Sequence, residues 1–370
     1  MEKENWYSLK SPEGVVSPSL LVYPERIEKN IETMLQIAGG AAFLRPHIKT
    51  HKIAEIIQMQ LKYGIEKFKC ATIAEAELLA STGAKDVLLA IQPVGPNILR
   101  FFDLMRTYPQ VHFSTIVDNN KVINEIASVA ASRETVVSLW LDLNNGMHRT
   151  GILPGAEALE LYKLMTSNPR VMVEGLHVYD GHIRDSDIKI RTQNCNRAFE
   201  AVRTLKSEIE RLGMQVKTIS AGGTPCFPIH AKRSKVELSP GTSLLWDDQY
   251  RRLFPDLKFI SAAVLITRII SKPQPGYLCL DLGHKSVAPE MPLPRVHFLA
   301  GVDFEQVGQS EEHLVVTTKA SEKYELGDIL YAIPAHICPT VAKYHEVTTI
   351  IDRMPSEVWK VAARNNKITI

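Results

Sequence analysis

The chain lacks any apolar run long enough to cross a bilayer. Its longest, such as ISAAVLITRII, stop well short of the roughly 20 residues a spanning helix needs, so no membrane span is expected. It also lacks a charge excess: 43 Lys and Arg against 41 Asp and Glu leave a formal net charge of +2, without the clustered basic surplus of a nucleic-acid-binding surface. Cysteine is sparse. Cys70, Cys195, Cys226, Cys279 and Cys338 are odd in number and widely scattered, which argues against a disulfide framework and for reduced thiols. The opening MEKENWYSLK is charged and has no apolar core of the kind a secretory signal carries, so a cytoplasmic location is expected. Low-complexity segments are missing as well.

What is present is an ordinary globular composition, 45% hydrophobic and 23% charged, over 370 residues, too many for one small core. From about residue 19 to residue 245, short apolar runs alternate with longer amphipathic segments. The candidate strands are AAFLR, FKCAT, DVLLAIQ, HFSTIV, VVSLWLDL, VMVEGLHVY, VKTISAGG and KVELS. Between them lie helical stretches such as IAEAELLASTGA, NNKVINEIASVAAS and the long NCNRAFEAVRTLKSEIERLG. Roughly eight strand–helix units in ~230 residues is the arithmetic of an α/β fold of the (β/α)8 TIM barrel type. An open doubly wound sheet is the alternative, because sequence does not display closure. Past WDDQY the rhythm changes to strands broken by Gly and Pro: SAAVLITRIIS, YLCLDLG, HLVVTT, ILYAIPAH, EVTTII and VWKVAA. The expected organisation is a barrel domain over residues 1–250, whose N-terminal segment could join the other domain, and a C-terminal all-β domain over 251–370.

Active-site groups of a parallel barrel lie on the loops that follow the strands, since those loops share one face. Just past the inferred strands come His47, Lys49 and His51; Thr72; Gln92; Asp118; Asp142 to Arg149; Tyr179 and His182; Gly222 to Thr224; and Pro240 to Thr242. Two of these loops, SAGGTP and LSPGTS, follow the late strands and put glycine where backbone N–H groups can approach an anion. Barrels commonly hold phosphate there. A lysine after the first strand and a phosphate site after the last ones suggest pyridoxal phosphate, whose aldehyde suits a lysine and whose ring takes up carbanion electrons.

The segments RPHIKTHK, ATIAEAELLASTGAKDVLLA, DLNNGMHRTGI, GLHVYDGH, SAGGTP, ELSPGTS and PAHICPTV, in that order, span nearly the whole chain. Together they resemble the alanine racemase-like, fold-type III pyridoxal phosphate enzymes, and within them the D-serine dehydratase and D-threonine aldolase family. The resemblance implies Lys49 as the Schiff-base lysine, with Lys52 as the competing candidate, and Arg149 as the donor to the cofactor's phenolic oxygen. It implies Tyr179 beside the ring, and a phosphate cradle of Gly222, Gly223, Thr224, Gly241 and Thr242. His47, Thr72 and Gln92 are further candidate contacts. For Arg149 a helix-capping or Asp142-pairing role stays open, as does an ordinary rim position for Tyr179, Thr72 and Gln92.

The C-terminal domain carries PAHICPT. Read as an extended strand, it points His336 and Cys338 to one face, where imidazole and thiolate could share a metal ion. That donor pair favours zinc, with manganese or another divalent ion as the alternative. The resemblance places such a pair in the metal site of the D-serine dehydratases and a carboxylate at the second position in the aldolases. It implies a lyase acting on a D-3-hydroxy amino acid, with D-serine dehydration to a 2-oxo acid and ammonia favoured. Retro-aldol cleavage to glycine and an aldehyde is the alternative, and a racemase or a non-catalytic pyridoxal phosphate carrier are weaker ones. A homodimer is implied too, with no nucleic-acid or membrane partner. One departure bears on substrate: LDLGHKSVAPE keeps Asp281, Gly283 and Lys285 but ends in VAPE, where the family has serine and aspartate. The roles of Asp118, His177, His182 and His284 stay open.

Overall fold

The alternation of apolar runs becomes, in a computed structural model that describes residues 6–370, two compact units. One comprises Thr33–Lys49, Ile57–Gly241 and Asn365–Ile370; the other comprises the residues up to Glu32, Thr50–Ile56 and Thr242–Arg364. Strand β1 (Ser19–Val22) belongs to the second unit. The first holds β2 (Lys67–Cys70), β3 (Asp86–Leu89), β4 (His112–Val117), β5 (Val137–Leu143), β6 (Val171–Val178), β7 (Thr218–Ala221) and β8 (Val236–Leu238).

These seven strands pair in sequence order, every pair parallel. Parallel strands covered by helices are buried on both faces, which is why β5, VSLWLDL, is buried at each position. The ring is closed by Leu44–His47: Leu44 pairs with Leu238 of β8, and His47 with Lys69 of β2, both parallel. The N–H of Arg45 reaches Leu238 O at 2.8 Å, and the N–H of Lys69 reaches Pro46 O at 2.9 Å. This first stave is shorter than AAFLR suggested, because Ala41–Phe43 forms a 3-10 turn and Pro46, lacking an N–H, cannot extend the ladder. The helices follow their strands as expected. Ile73–Thr82 is capped by Thr72, whose hydroxyl accepts the N–H of Glu75, and Ile188–Arg211 is capped by Asp187, which accepts those of Lys189 and Ile190.

The second unit is a nine-stranded sheet. It contains β1 with β9 (Ala263–Ser271), β10 (Tyr277–Leu280), β11 (Val296–Phe298), β12 (Glu305–Gln309), β13 (Leu314–Thr317), β14 (Ile329–Pro334), β15 (Glu346–Ile351) and β16 (Met354–Lys360). The path runs β12-β13-β10-β9-β1-β15-β16, and β14 pairs with β9 and β11. Strands β11 and β12 went unforeseen because neither carries a continuous apolar run. Leu21, Val264, Ile266 and Ile350 form a core with Tyr7 and Tyr23. No helix among the described residues is long and apolar enough to cross a membrane.

PAHICPT is not an extended strand. Strand β14 stops at Pro334, and Ile337–Val341 is a short helix with His336 at its N-cap (φ −132°, ψ 107°). Pro339 is tolerated in that first turn, where N–H groups have no helical acceptor, and Thr340 Oγ1 donates to His336 O at 2.7 Å.

Candidate active site

The barrel unit brings together the three residues expected to act most directly. The Lys49 Nζ lies 5.7 Å and the Arg149 guanidinium carbon 5.0 Å from the centroid of the Tyr179 ring. Among the described residues neither cation has a hydrogen bond or ion pair through its side chain. Two unpaired cations around one aromatic ring make a place for a planar anionic group. Each is positioned by its loop. The Lys49 N–H donates to His47 Nδ1 at 3.1 Å, which fixes the turn in which the lysine sits. In the Arg149 loop, Asn144 Oδ1 accepts the N–H groups of Gly146 and His148, and Asp118 Oδ2 accepts that of Gly151 at 2.9 Å. Gly151 has φ +90°, and a Cβ there would stand 2.6 Å from Asn144 N, so the loop closes only with glycine. Gln92 holds Asp118 at both ends of its amide, each at 2.9 Å. Thus Gln92 and Asp118, candidates from the sequence, act on the Arg149 loop, and Thr72 caps a helix.

Beneath this rim the barrel carries buried charge. Lys69 on β2 and His177 on β6 are not on neighbouring strands, so their contact, Nζ to Nε2 at 3.1 Å, crosses the lumen. His177 Nδ1 meets Asp142 Oδ1 at 2.6 Å. The carboxylate can only accept, so Nδ1 carries the proton and Nε2 accepts from the lysine. Burial, together with Arg45, pushes Lys69 down to about 7; Asp142 and Glu237 oppose this, and Lys49 adds to it. Burial and Lys69 likewise depress His177. Deeper still, Arg45 pairs with Glu237 at 2.6 Å and with both oxygens of Asp86, and Lys67 also reaches Glu237 at 2.7 Å.

The glycine turn differs from the expectation that its N–H groups face an anion. The Gly222 N–H donates to Val178 O at 3.1 Å, the Gly223 N–H to Asp180 Oδ1 at 2.9 Å, and the Gly241 N–H to Thr224 Oγ1 at 3.0 Å. For Gly223 the cause is Asp180, a buried carboxylate that needs a donor. What glycine supplies is room: a Cβ on Gly222 (φ +82°) would meet the His230 ring at 2.9 Å, and one on Gly223 would meet Tyr179 at 3.2 Å.

Asp180, Cys195 and His230 place possible ligand atoms within 4.8 Å of one another. Hydrogen bonds already occupy them. Arg233 Nε donates to His230 Nδ1 at 3.1 Å, so Nε2 bears the proton and donates to Asp180 Oδ2 at 2.7 Å, with Cys195 Sγ 3.4 Å from that nitrogen. A ring engaged at both nitrogens offers a metal no lone pair, and the cluster serves to hold Asp180 against the Gly223 turn.

In the sheet unit, His336 Nδ1 lies 2.6 Å from Glu290 Oε1. Burial works against its charged form, but the Cys338 thiol, then Asp247 and Glu290, push it up to about 9. Cys338 Sγ is 3.1 Å from Thr50 Oγ1 and 3.6 Å from Thr242 Oγ1, and it is the one cysteine that is not buried. Asp247 Oδ2 accepts the N–H of Ile337 at 3.1 Å, clamping the backbone between the two candidate ligands. Other sequence candidates lie elsewhere. Lys52 donates to Ala363 O at 3.3 Å, His51 is buried with its pKa pushed down to about 3, His182 packs over Gly146, and His284 is held through its backbone by Ser310 O.

A parallel barrel followed along the chain by a mostly β unit defines the alanine racemase-like fold class, in which this chain's relatives are named aldolases and dehydratases. The chain belongs to the family of the alanine racemase N-terminal domain, matched over residues 22–248, and residues 262–350 match the serine dehydratase domain. It is similar to the D-threonine aldolase of an Arthrobacter species, 25% identical with 95% of this chain and 93% of the relative covered. To the D-serine dehydratase of Dictyostelium discoideum it is 24% identical, with 90% and 93% covered. The crystal structure of D-threonine aldolase from Filomicrobium marinum superposes with a TM-score of 0.85 at 25% identity, covering 95% of this chain and 96% of that one.

Proposed function

We propose that this chain is a pyridoxal phosphate- and zinc-dependent lyase of D-3-hydroxy amino acids, with D-serine-type dehydration as its reaction. The observation that carries the proposal is the convergence of Lys49 and Arg149, neither of them ion-paired among the described residues, on the ring of Tyr179. When bound, pyridoxal phosphate supplies an electron sink for charge developing at the substrate's Cα, and zinc supplies a Lewis acid for its hydroxyl.

The chain's own residues do the rest. The Lys49 amine holds the cofactor and then takes the proton from the substrate's Cα. Arg149 donates to an anionic ring oxygen, and the Gln92–Asp118–Gly151 chain of hydrogen bonds keeps its loop in place. Gly222 and Gly223 let the turn that would hold the phosphate pack closely against the His230 and Tyr179 rings, and Asp180 fixes the turn. Tyr179 supplies an aromatic wall. His336 and Cys338 offer the imidazole and thiolate that suit zinc, and the thiol supports the dehydratase over the aldolase reading. The 25% identity to a D-threonine aldolase keeps retro-aldol cleavage as the second reading.

Protein loaded with pyridoxal phosphate and zinc, offered D-serine, D-threonine and 3-hydroxy-D-aspartate, separates them. A dehydratase yields 2-oxo acid and ammonia, whereas an aldolase yields glycine and an aldehyde. Turnover of none of the three, or of the L-enantiomers alone, refutes the proposal.

A further inference from the structure

The departure VAPE ends on a carboxylate that meets one of the two residues read above as metal ligands. Glu290 Oε1 lies 2.6 Å from His336 Nδ1. We propose that Glu290 is the positioning residue of the metal site: it accepts the Nδ1 proton of His336, fixes the ring's tautomer and rotation, and leaves Nε2 as the nitrogen that binds the ion. The inference rests on the reading of His336 and Cys338 as the metal pair.

Three features of the sheet unit bear on it. A carboxylate accepting from the far nitrogen of a histidine raises the basicity of the near one and holds the ring in orientation, the usual arrangement behind a metal-bound imidazole. The backbone around the ring is held independently, by Asp247 on the Ile337 N–H and by Thr340 on the His336 carbonyl, so the imidazole's remaining freedom is its own rotation, which the Glu290 contact limits alongside Cys338. Glu290 is not itself a third ligand of the pair, because among the described residues its oxygens, the His336 nitrogens and Cys338 Sγ do not form a group within 4.8 Å of one another.

The competing account is an ordinary surface ion pair. The two side chains are 33% and 43% exposed, so such a pair would add little to stability and nothing to metal binding. VAPE then places in this chain a glutamate whose role is to orient the histidine, and the site's affinity for the ion depends on a contact outside its ligand set.

The test uses the full chain with pyridoxal phosphate bound, stripped of metal by a chelator, and titrated with zinc against a chromophoric competitor. The parent, Glu290→Gln, Glu290→Asp and Cys338→Ala are compared, with the visible absorbance of the lysine-bound cofactor and the melting temperature as checks on folding. The expected result is a loss of zinc affinity of about 10- to 100-fold in Glu290→Gln, partial recovery in Glu290→Asp, and a larger loss in Cys338→Ala, with cofactor absorbance unchanged throughout. Parental zinc affinity in Glu290→Gln, alongside lost affinity in Cys338→Ala, overturns the role of Glu290 and leaves the metal pair standing. Equal affinity in the parent and Cys338→Ala, or none in the parent, overturns the metal pair and the inference with it.

Discussion

In the barrel unit two buried groups of charges are hydrogen-bonded, Arg45 with Glu237 and, across the lumen, Lys69 with His177 and Asp142, whereas the core of the sheet unit closes over Leu21, Val264, Ile266 and Ile350 with two tyrosines. Both are interiors, but they obey different rules. An aliphatic core loses stability in proportion to the atoms removed, with a term for the cavity left behind. A buried charged network is close to neutral when whole and costly when one partner is missing, because the remaining charge has no water to turn to. The barrel therefore holds its rim over an interior that tolerates no partial change, and the sheet unit is an ordinary packed layer.

That contrast can be broken from either side. Arg45→Met leaves Glu237 and Asp86 without their guanidinium and should cost about 3–5 kcal/mol in urea unfolding. Adding Glu237→Leu should return part of that loss, and a double variant weaker than the single one by a full additive step would show that the network is not coupled. Lys69→Met tests the same interior through pH. The folded lysine sits at about 7 and the unfolded one near 10.5, so between these values the unfolded chain binds more protons and stability rises with pH. The penalty on the charged form is complete below 7 and gone above 10.5. From pH 7 to pH 9 the parent should therefore gain on Lys69→Met by up to about 1.4 kcal/mol per pH unit; parallel stability curves would mean that Lys69 is not held neutral. In the sheet unit, Ile266→Val should cost only about 0.5–1.5 kcal/mol, independent of pH over the same range. A larger or pH-dependent cost there would erase the distinction between the two interiors.

Much of the rim was legible because loops after parallel strands share a face whatever their sequence, and Lys49, Arg149 and Tyr179 needed only correct strand ends. Lys69 was not legible. In a strand buried on both sides, KFKC gives no sign of which parity faces the lumen, and a lysine reads as outward by default. The glycine turns could be read for backbone freedom but not for the partner of each N–H, which fold-level contacts decide, that of Gly223 by Asp180, one residue past Tyr179. PAHICPT was read as extended because the preceding run is a strand. The sign of the helix was Thr340, whose hydroxyl reaches back to His336 O. Glu290 had a visible signal, the departure from the family's ending, but nothing in the sequence placed it against His336.

The most direct test of the account is the identity of the amine that takes up pyridoxal phosphate. Purified protein is incubated with the cofactor, reduced with borohydride, digested and read by mass spectrometry. The account predicts a pyridoxyl group on Lys49, absent in Lys49→Ala. The same group on Lys52 or Lys69 with Lys49 unmodified, or no cofactor uptake at all, would contradict it.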